Sequence, residues 1–127
     1  MLKGFHHVAI ICSDYASSKH FYTQILGLQP IAEHYRQQRD SYKLDLALPG
    51  GGQIELFSFA EAPPRPSYPE AQGLRHLAFA VDDIEQVVAK LRSYNIAVEA
   101  LRVDPYTEKM FTFFNDPDGL PLELYQV

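Results

Sequence analysis

Sliding the chain on itself exposes an internal repeat. At an offset of 69, His7 meets His76, Ala9 meets Ala78 and Asp14 meets Asp83, with apolar Val8 and Ile10 falling on Leu77 and Phe79. At an offset of 68, IELF (residues 54–57) meets LELY (residues 122–125), which superposes Glu55 on Glu123. Each half therefore carries one His and one Glu in equivalent places, separated by 48 residues in the first half and 47 in the second. Such self-similarity marks one supersecondary unit used twice, so a fold for this chain has to be built from two copies of one half.

Local signals give the unit its shape. The stretch from Phe5 to Cys12 is apolar enough for a half-buried strand, and Ser13 and Asp14 then offer an N-cap. Tyr15, Ser18, Tyr22, Ile25 and Leu26 form one helical stripe, and Gly27 is placed for the left-handed stop. In the second half RHLAFAV is the matching strand and IEQVVAKLRSYN the matching helix, with Ile84, Val87, Val88 and Leu91 as its stripe and Asn95 as its stop. Asp82 and Glu85 have the spacing of a capping box. After each helix the pattern predicts three strands. In the first half they are divided at RQQRDS and PGGG; in the second they are IAVEALRV, MFTFFND and LPLELYQV, with NDPDG as a turn. The unit is thus βαβββ. Gly50–Gly52 read as a hairpin turn, since no Lys-Ser/Thr and no helix N-terminus follow to cradle a phosphate. Module one runs over about 1–60 and module two over about 74–127. Between them, about 61–73 is a surface linker in which Pro63, Pro64, Pro66 and Pro69 forbid a helix or an inner strand.

Face parity separates the adjacent histidines of GFHHVAII. Successive strand side chains point to opposite faces. His6 falls with Val8 and Ile10 on the helix-facing side, and His7 falls opposite. The same alternation turns Glu55, His76 and Glu123 away from the helix-facing layer. If the two sheets curve toward one another, these four side chains converge, with Phe57, Phe59 and Tyr125 shielding them. Two shielded carboxylates are costly to desolvate without a cation. Taken singly, each residue has an ordinary structural explanation; the symmetric set of four is what points to a metal. Two imidazoles and two carboxylates suit a divalent ion such as Zn, Ni, Co, Fe or Mn, whereas Ca would want more oxygens and structural Zn would want cysteines.

Bulk properties exclude other classes. The 127 residues suit one domain, and a net charge of −5 with scattered Lys and Arg leaves no basic stripe for nucleic acid. No apolar run is long enough to cross a bilayer, and MLKGFHH lacks the apolar stretch of a secretory signal, so a cytoplasmic protein is expected. The single cysteine, Cys12, sits in AIICSD and reads as a buried, inert thiol rather than a nucleophile.

With these residues in place, the whole chain resembles the vicinal oxygen chelate superfamily, through HHVAI with FYTQILGL, GGQIELF, GLRHLAFAVDDI and NDPDGLPLELYQ. That superfamily includes glyoxalase I, bleomycin- and fosfomycin-resistance proteins, methylmalonyl-CoA epimerase and extradiol dioxygenases. The chain is most similar to the small bacterial glyoxalase I-like proteins of the YaeR-like group. The resemblance implies an α+β fold in which the tandem βαβββ modules form a curved, cup-like mixed sheet with the helices outside, in a single domain 1–127. It also implies metal ligands at His7, Glu55, His76 and Glu123, the four that parity selects. The acidic residue at Glu55 is similar to glyoxalase I, where the epimerase would carry Gln. Bacterial glyoxalase I has an Arg and an Asn serving glutathione where this chain has Ile11 and Phe59, so glutathione is not the expected cofactor.

The resemblance implies a divalent-metal-dependent isomerase or lyase acting on a small vicinal-oxygen substrate through an enediolate. Glu123 is then the base, and Glu55 can hand a proton back. Arg36, Arg39, Lys43, Tyr106 and Lys109 are the cations and hydroxyl that sequence offers for an anionic tail, though each also suits an ordinary surface. Two alternatives stand beside this one: a metabolite- or drug-binding protein without turnover, and a metal-dependent dioxygenase. The expected partners are a small-molecule substrate and a second copy of the chain, as a homodimer.

Overall fold

A computed structural model describes residues 1–127. The chain divides into two compact units, Met1–Pro64 and Arg65–Val127, each with its own sheet and helix.

In the first unit β1 (His7–Cys12), α1 (Tyr15–His20), β2 (Gln29–Arg36), β3 (Ser41–Ala47) and β4 (Gln53–Ser58) form a sheet of order β1-β4-β3-β2. β1 runs parallel to β4, and the other pairs are antiparallel. Alternation along β1 follows parity: Ile10 and Cys12 are buried, while His7, Ala9 and Ile11 are exposed. The Asp14 carboxylate accepts from the Ser17 N–H at 3.0 Å and caps α1. Beyond His20 the helix widens into a π-type turn, Phe21–Ile25, in which the Leu26 N–H bonds the Phe21 carbonyl at 2.9 Å. A uniform α-helix would present Tyr22 to the sheet and leave Phe21 aside. The wider turn brings both rings inside, and Gly27 ends it with φ 75°. Tyr22, Leu44, Leu46, Ile54 and Leu56 make the core.

The second unit repeats the plan with β5 (Leu77–Val81), α2 (Ile84–Ser93), β6 (Arg102–Val103), β7 (Met110–Asn115) and β8 (Pro121–Gln126), in the order β5-β8-β7-β6. β5 is parallel to β8. Ile84, Val88 and Leu91 of α2 are buried with Phe114, Leu122 and Leu124. Asn95 closes α2 with φ 62°. The fold class is α+β, two four-stranded mixed sheets with one helix each, as the repeat requires.

Four local expectations are corrected. The capping box at Asp82 and Glu85 does not form; Asp83 is the N-cap and accepts from the Gln86 N–H at 3.1 Å. The apolar stripe decides this, because the helix must begin at Ile84 for Ile84, Val88 and Leu91 to reach the sheet. IAVEALRV is not a full strand. Only Arg102–Val103 pair with β7, and Val98 makes an isolated bridge to Phe114. Between those pairs the outer segment has one residue more than β7, which is a bulge, and the Thr112 hydroxyl donates to the Glu99 carbonyl at 2.8 Å across it. The first strand starts at His7 rather than Phe5, and His6 is not packed with Val8 and Ile10. His6 is exposed, its Nδ1 2.9 Å from that of His7, because the strand begins one residue too late to hold it. The matching strand likewise starts at Leu77, just after His76. Residues 61–73 contain neither helix nor strand. No helix is long and apolar enough to cross a membrane.

Candidate functional site

Each unit brings its own His and Glu together. In the first, His7 sits at the start of edge strand β1, and Glu55 lies on the adjacent β4 opposite Ala9. The His7 Nδ1 is 3.5 Å from the Glu55 carboxylate. In the second, the His76 Nε2 is 2.9 Å from the carboxylate of Glu123, which lies on β8 opposite Ala78. The duplicated parallel pairing of β1 with β4 and of β5 with β8 is what creates both pairs. A His at the head of one strand and a Glu two positions along its parallel neighbour share one face. Both carboxylates are shielded, with Glu55 14% and Glu123 12% exposed.

The neighbours of the two carboxylates differ. Across from Glu55 on β3 lies Asp45, and the Lys43 ammonium stands 2.7 Å from Asp45 and 3.8 Å from Glu55. The equivalent places beside Glu123 are held by Phe113, directly opposite on β7, and Phe111, opposite Tyr125. The Phe113 ring meets the His76 imidazole edge-on at 5.1 Å between centroids. Glu55 thus has a lysine beside it, and Glu123 has rings and one imidazole.

Aromatic rails run beside each pair, and each carries an arginine. Phe57 and Phe59 stack at 6.3 Å, with the Arg36 guanidinium 4.9 Å over the first ring and 5.7 Å over the second. Phe111 and Phe113 carry Arg102 at 4.9 and 5.7 Å. The Tyr125 hydroxyl donates to Asp104 at 3.0 Å and contacts Thr107, which draws the Asp104 loop onto β8. Backbone donation from Tyr106, then the hydroxyls of Tyr125 and Thr107, hold the Asp104 carboxyl below its ordinary range.

Of the groups suggested for an anionic tail, Arg36 and Arg39 lie over the aromatic rail and Lys43 is paired with carboxylates. Tyr106 and Lys109 are exposed in the loop beyond β6. Strand parity could have found Arg102 and its two rings. Nothing in the sequence signals a cavity of about 240 Å³ in the second unit, whose wall includes Arg65, Arg75, His76, Arg102 and Asn115. It forms because the segment after Arg65 folds against β7 and β8.

The donor set fits a divalent cation. Each pair supplies an imidazole nitrogen and a shielded carboxylate, and Glu123 has no Lys or Arg against it to balance its charge. No group of three or more His, Cys, Asp and Glu side chains with metal-holding spacing is formed.

Residues 4–124 match the family model of the glyoxalase/bleomycin resistance protein/dioxygenase superfamily. The chain belongs to this superfamily. Across the whole glyoxalase-type fold it is 65% identical to the uncharacterized protein YaeR of Escherichia coli K12 over 125 residues, covering 98% of this chain and 97% of that one. YwkD of Bacillus subtilis 168 is 57% identical over 126 residues, covering 99% and 98%. Among solved structures, a glyoxalase family protein from Enterococcus faecalis superposes with a TM-score of 0.90 at 52% identity, covering 97% of each chain.

Proposed function

We propose that this glyoxalase-superfamily chain is a divalent-metal-dependent isomerase or lyase of the glyoxalase I type, acting on a small substrate with oxygens on adjacent carbons through an enediolate. The observation that carries the reading is the pair of equivalent His/Glu contacts, His7 with Glu55 and His76 with Glu123, each with its carboxylate shielded from water. Those four residues would hold the ion, one of Zn, Ni, Co, Fe or Mn. When bound, the ion supplies Lewis acidity that stabilises negative charge on the substrate oxygens.

The protein's own carboxylates move the proton. Glu123 takes it from the carbon beside the carbonyl, and the C–H electron pair becomes the enediolate double bond. The carbonyl electron pair passes to its oxygen; Glu55, entering the cycle as the carboxylic acid, then delivers its proton to the former carbonyl carbon while the substrate's hydroxyl proton passes to the other oxygen, after which Glu123 loses a proton to solvent and Glu55 regains one from it. Glu123 suits the base role because no lysine competes for its oxygens, whereas Glu55 sits 3.8 Å from Lys43. The rings of Phe111 and Phe113 keep water from the reacting carbon. Ile11 and Phe59 offer glutathione no polar group, so a different thiol, or none, is expected.

The test is metal analysis of the purified protein followed by turnover assays with methylglyoxal hemithioacetals and simple α-hydroxyketones. Stoichiometric divalent metal and isomerised product are expected, with light scattering reporting a dimer. The arginine-clad aromatic rails favour one other reading, a binding protein that holds a planar metabolite or drug without turnover. Metal-free protein that binds such a ligand tightly would overturn the enzyme reading in its favour. Oxygen consumption by the iron-loaded protein would instead mark a dioxygenase.

A further inference from the structure

The cavity of the second unit has an unbalanced charge. Its wall carries three arginines and two glutamates, Glu70 and Glu99. Arg75 is committed to Glu70 at 3.2 Å and Arg102 to Glu99 at 3.1 Å, and all four side chains are more than half exposed. Arg65 is different. It is half-buried, and no carboxylate lies within ion-pairing distance of it. Its Nε donates to the Ser67 hydroxyl at 3.0 Å and its Nη2 to the Leu74 carbonyl at 3.3 Å. Those two bonds orient the guanidinium without neutralising it, and a guanidinium has about five N–H donors. The remaining donors are left for a ligand in the same cavity that His76 lines.

We propose that Arg65 is the anion-recognition residue of the His76/Glu123 site, holding a carboxylate or phosphate group of the substrate in this cavity. The inference rests on the metal-site reading above and adds the substrate's class: a small vicinal-oxygen compound with an oxyanion at the end remote from its chelating oxygens. A fixed, planar guanidinium that lacks an acidic partner matches an oxyanion by two parallel hydrogen bonds. At about 240 Å³ the cavity is smaller than the ~300–1,000 Å³ typical of drug-sized sites, which selects a short substrate. Asn115 in the same wall offers an uncharged amide donor. Arg75 and Arg102 carry their own counterions and add field but no free charge.

Three probes share one α-hydroxyketone head: dihydroxyacetone, dihydroxyacetone phosphate and 5-hydroxy-4-oxopentanoate. Calorimetric titration into the nickel-loaded protein is expected to show one or both anionic probes binding about 10–100-fold more tightly than the neutral one. Whichever anion gains more identifies phosphate or carboxylate as the group recognised. Arg65→Met is expected to remove that advantage while leaving dihydroxyacetone binding unchanged, Arg65→Lys to restore part of it, and Arg75→Met to keep it whole. In chelator-treated wild-type protein, inorganic phosphate or acetate should shift the Arg65 Nε–H resonance, an arm that needs neither variant nor metal. Equal binding of the three probes, or an anion advantage that survives Arg65→Met, would overturn the inference. Failure to take up metal, with the Arg65 resonance still responding to anion, would overturn the metal reading alone.

Discussion

The two halves share a topology and differ in what surrounds their carboxylates. Glu55 stands beside Lys43 and opposite Asp45; Glu123 stands beside Phe111 and opposite Phe113. Duplication preserved the strand pairing, the caps at Asp14 and Asp83, and the His/Glu contact, all of which follow from backbone geometry. The neighbouring strand diverged, and it diverged in charge. In the first half an ammonium stands 3.8 Å from the carboxylate. In the second, rings flank the carboxylate and its charged neighbour is the His76 imidazole. One backbone plan thus yields two carboxylates in chemically different surroundings.

The sharpest way to break this comparison is to neutralise each carboxylate in turn. Glu123→Gln is expected to lower turnover by about 100- to 10,000-fold, the usual worth of a positioned base, with Glu55→Gln costing less. Equal losses, measured with metal content held constant, would make the halves interchangeable. Next in size are the equivalent core leucines, Leu56 and Leu124, both essentially without exposure. Leu56→Ala and Leu124→Ala should each cost about 2–5 kcal/mol in urea denaturation. A markedly smaller cost in one half would show that its core relaxes more easily.

The caps come third. Asp14→Ala and Asp83→Ala should each destabilise by about 1 kcal/mol, because each removes the acceptor for an N–H at the third helical position. The smallest effect belongs to a feature the second half lacks. Glu33 accepts from the Lys19 ammonium at 2.7 Å and from the Tyr15 hydroxyl, and those bonds hold its carboxyl below its usual pKa. Partial burial of Tyr15, and then the same contact with Glu33, push that phenol upward. A lowered carboxylate pKa contributes stability that is full above the unfolded-state value near 4.5 and fades as pH falls through the folded-state value. Glu33→Gln should therefore lower stability at neutral pH and flatten the acid limb of the stability profile. With both partners about 40% exposed, the loss is screened to a few tenths of a kcal/mol, and added salt should shrink it further.

The sequence by itself determined the duplicated βαβββ plan, because apolar periodicity, caps and the two in-register His/Glu pairs are local or nearly local signals. It placed Asp14, Gly27, Asn95 and, apart from His6, the alternation along both strands correctly, since alternation along a strand leaves little choice once one face is buried. Where it erred, tertiary packing had overruled a local preference. Burial of Ile84 moved the second cap from Asp82 to Asp83, and the wide turn at Phe21–Ile25 let two adjacent rings share one core. Only the tertiary structure decided which residues stand across from each glutamate and which arginine is left without a counterion. Those facts depend on register between strands and on how the segment from Arg65 to Arg75 lies over β7 and β8. The cavity wall joins residues some forty positions apart, and even the cross-strand pairs, ten positions apart, depend on a register that no spacing along the chain encodes.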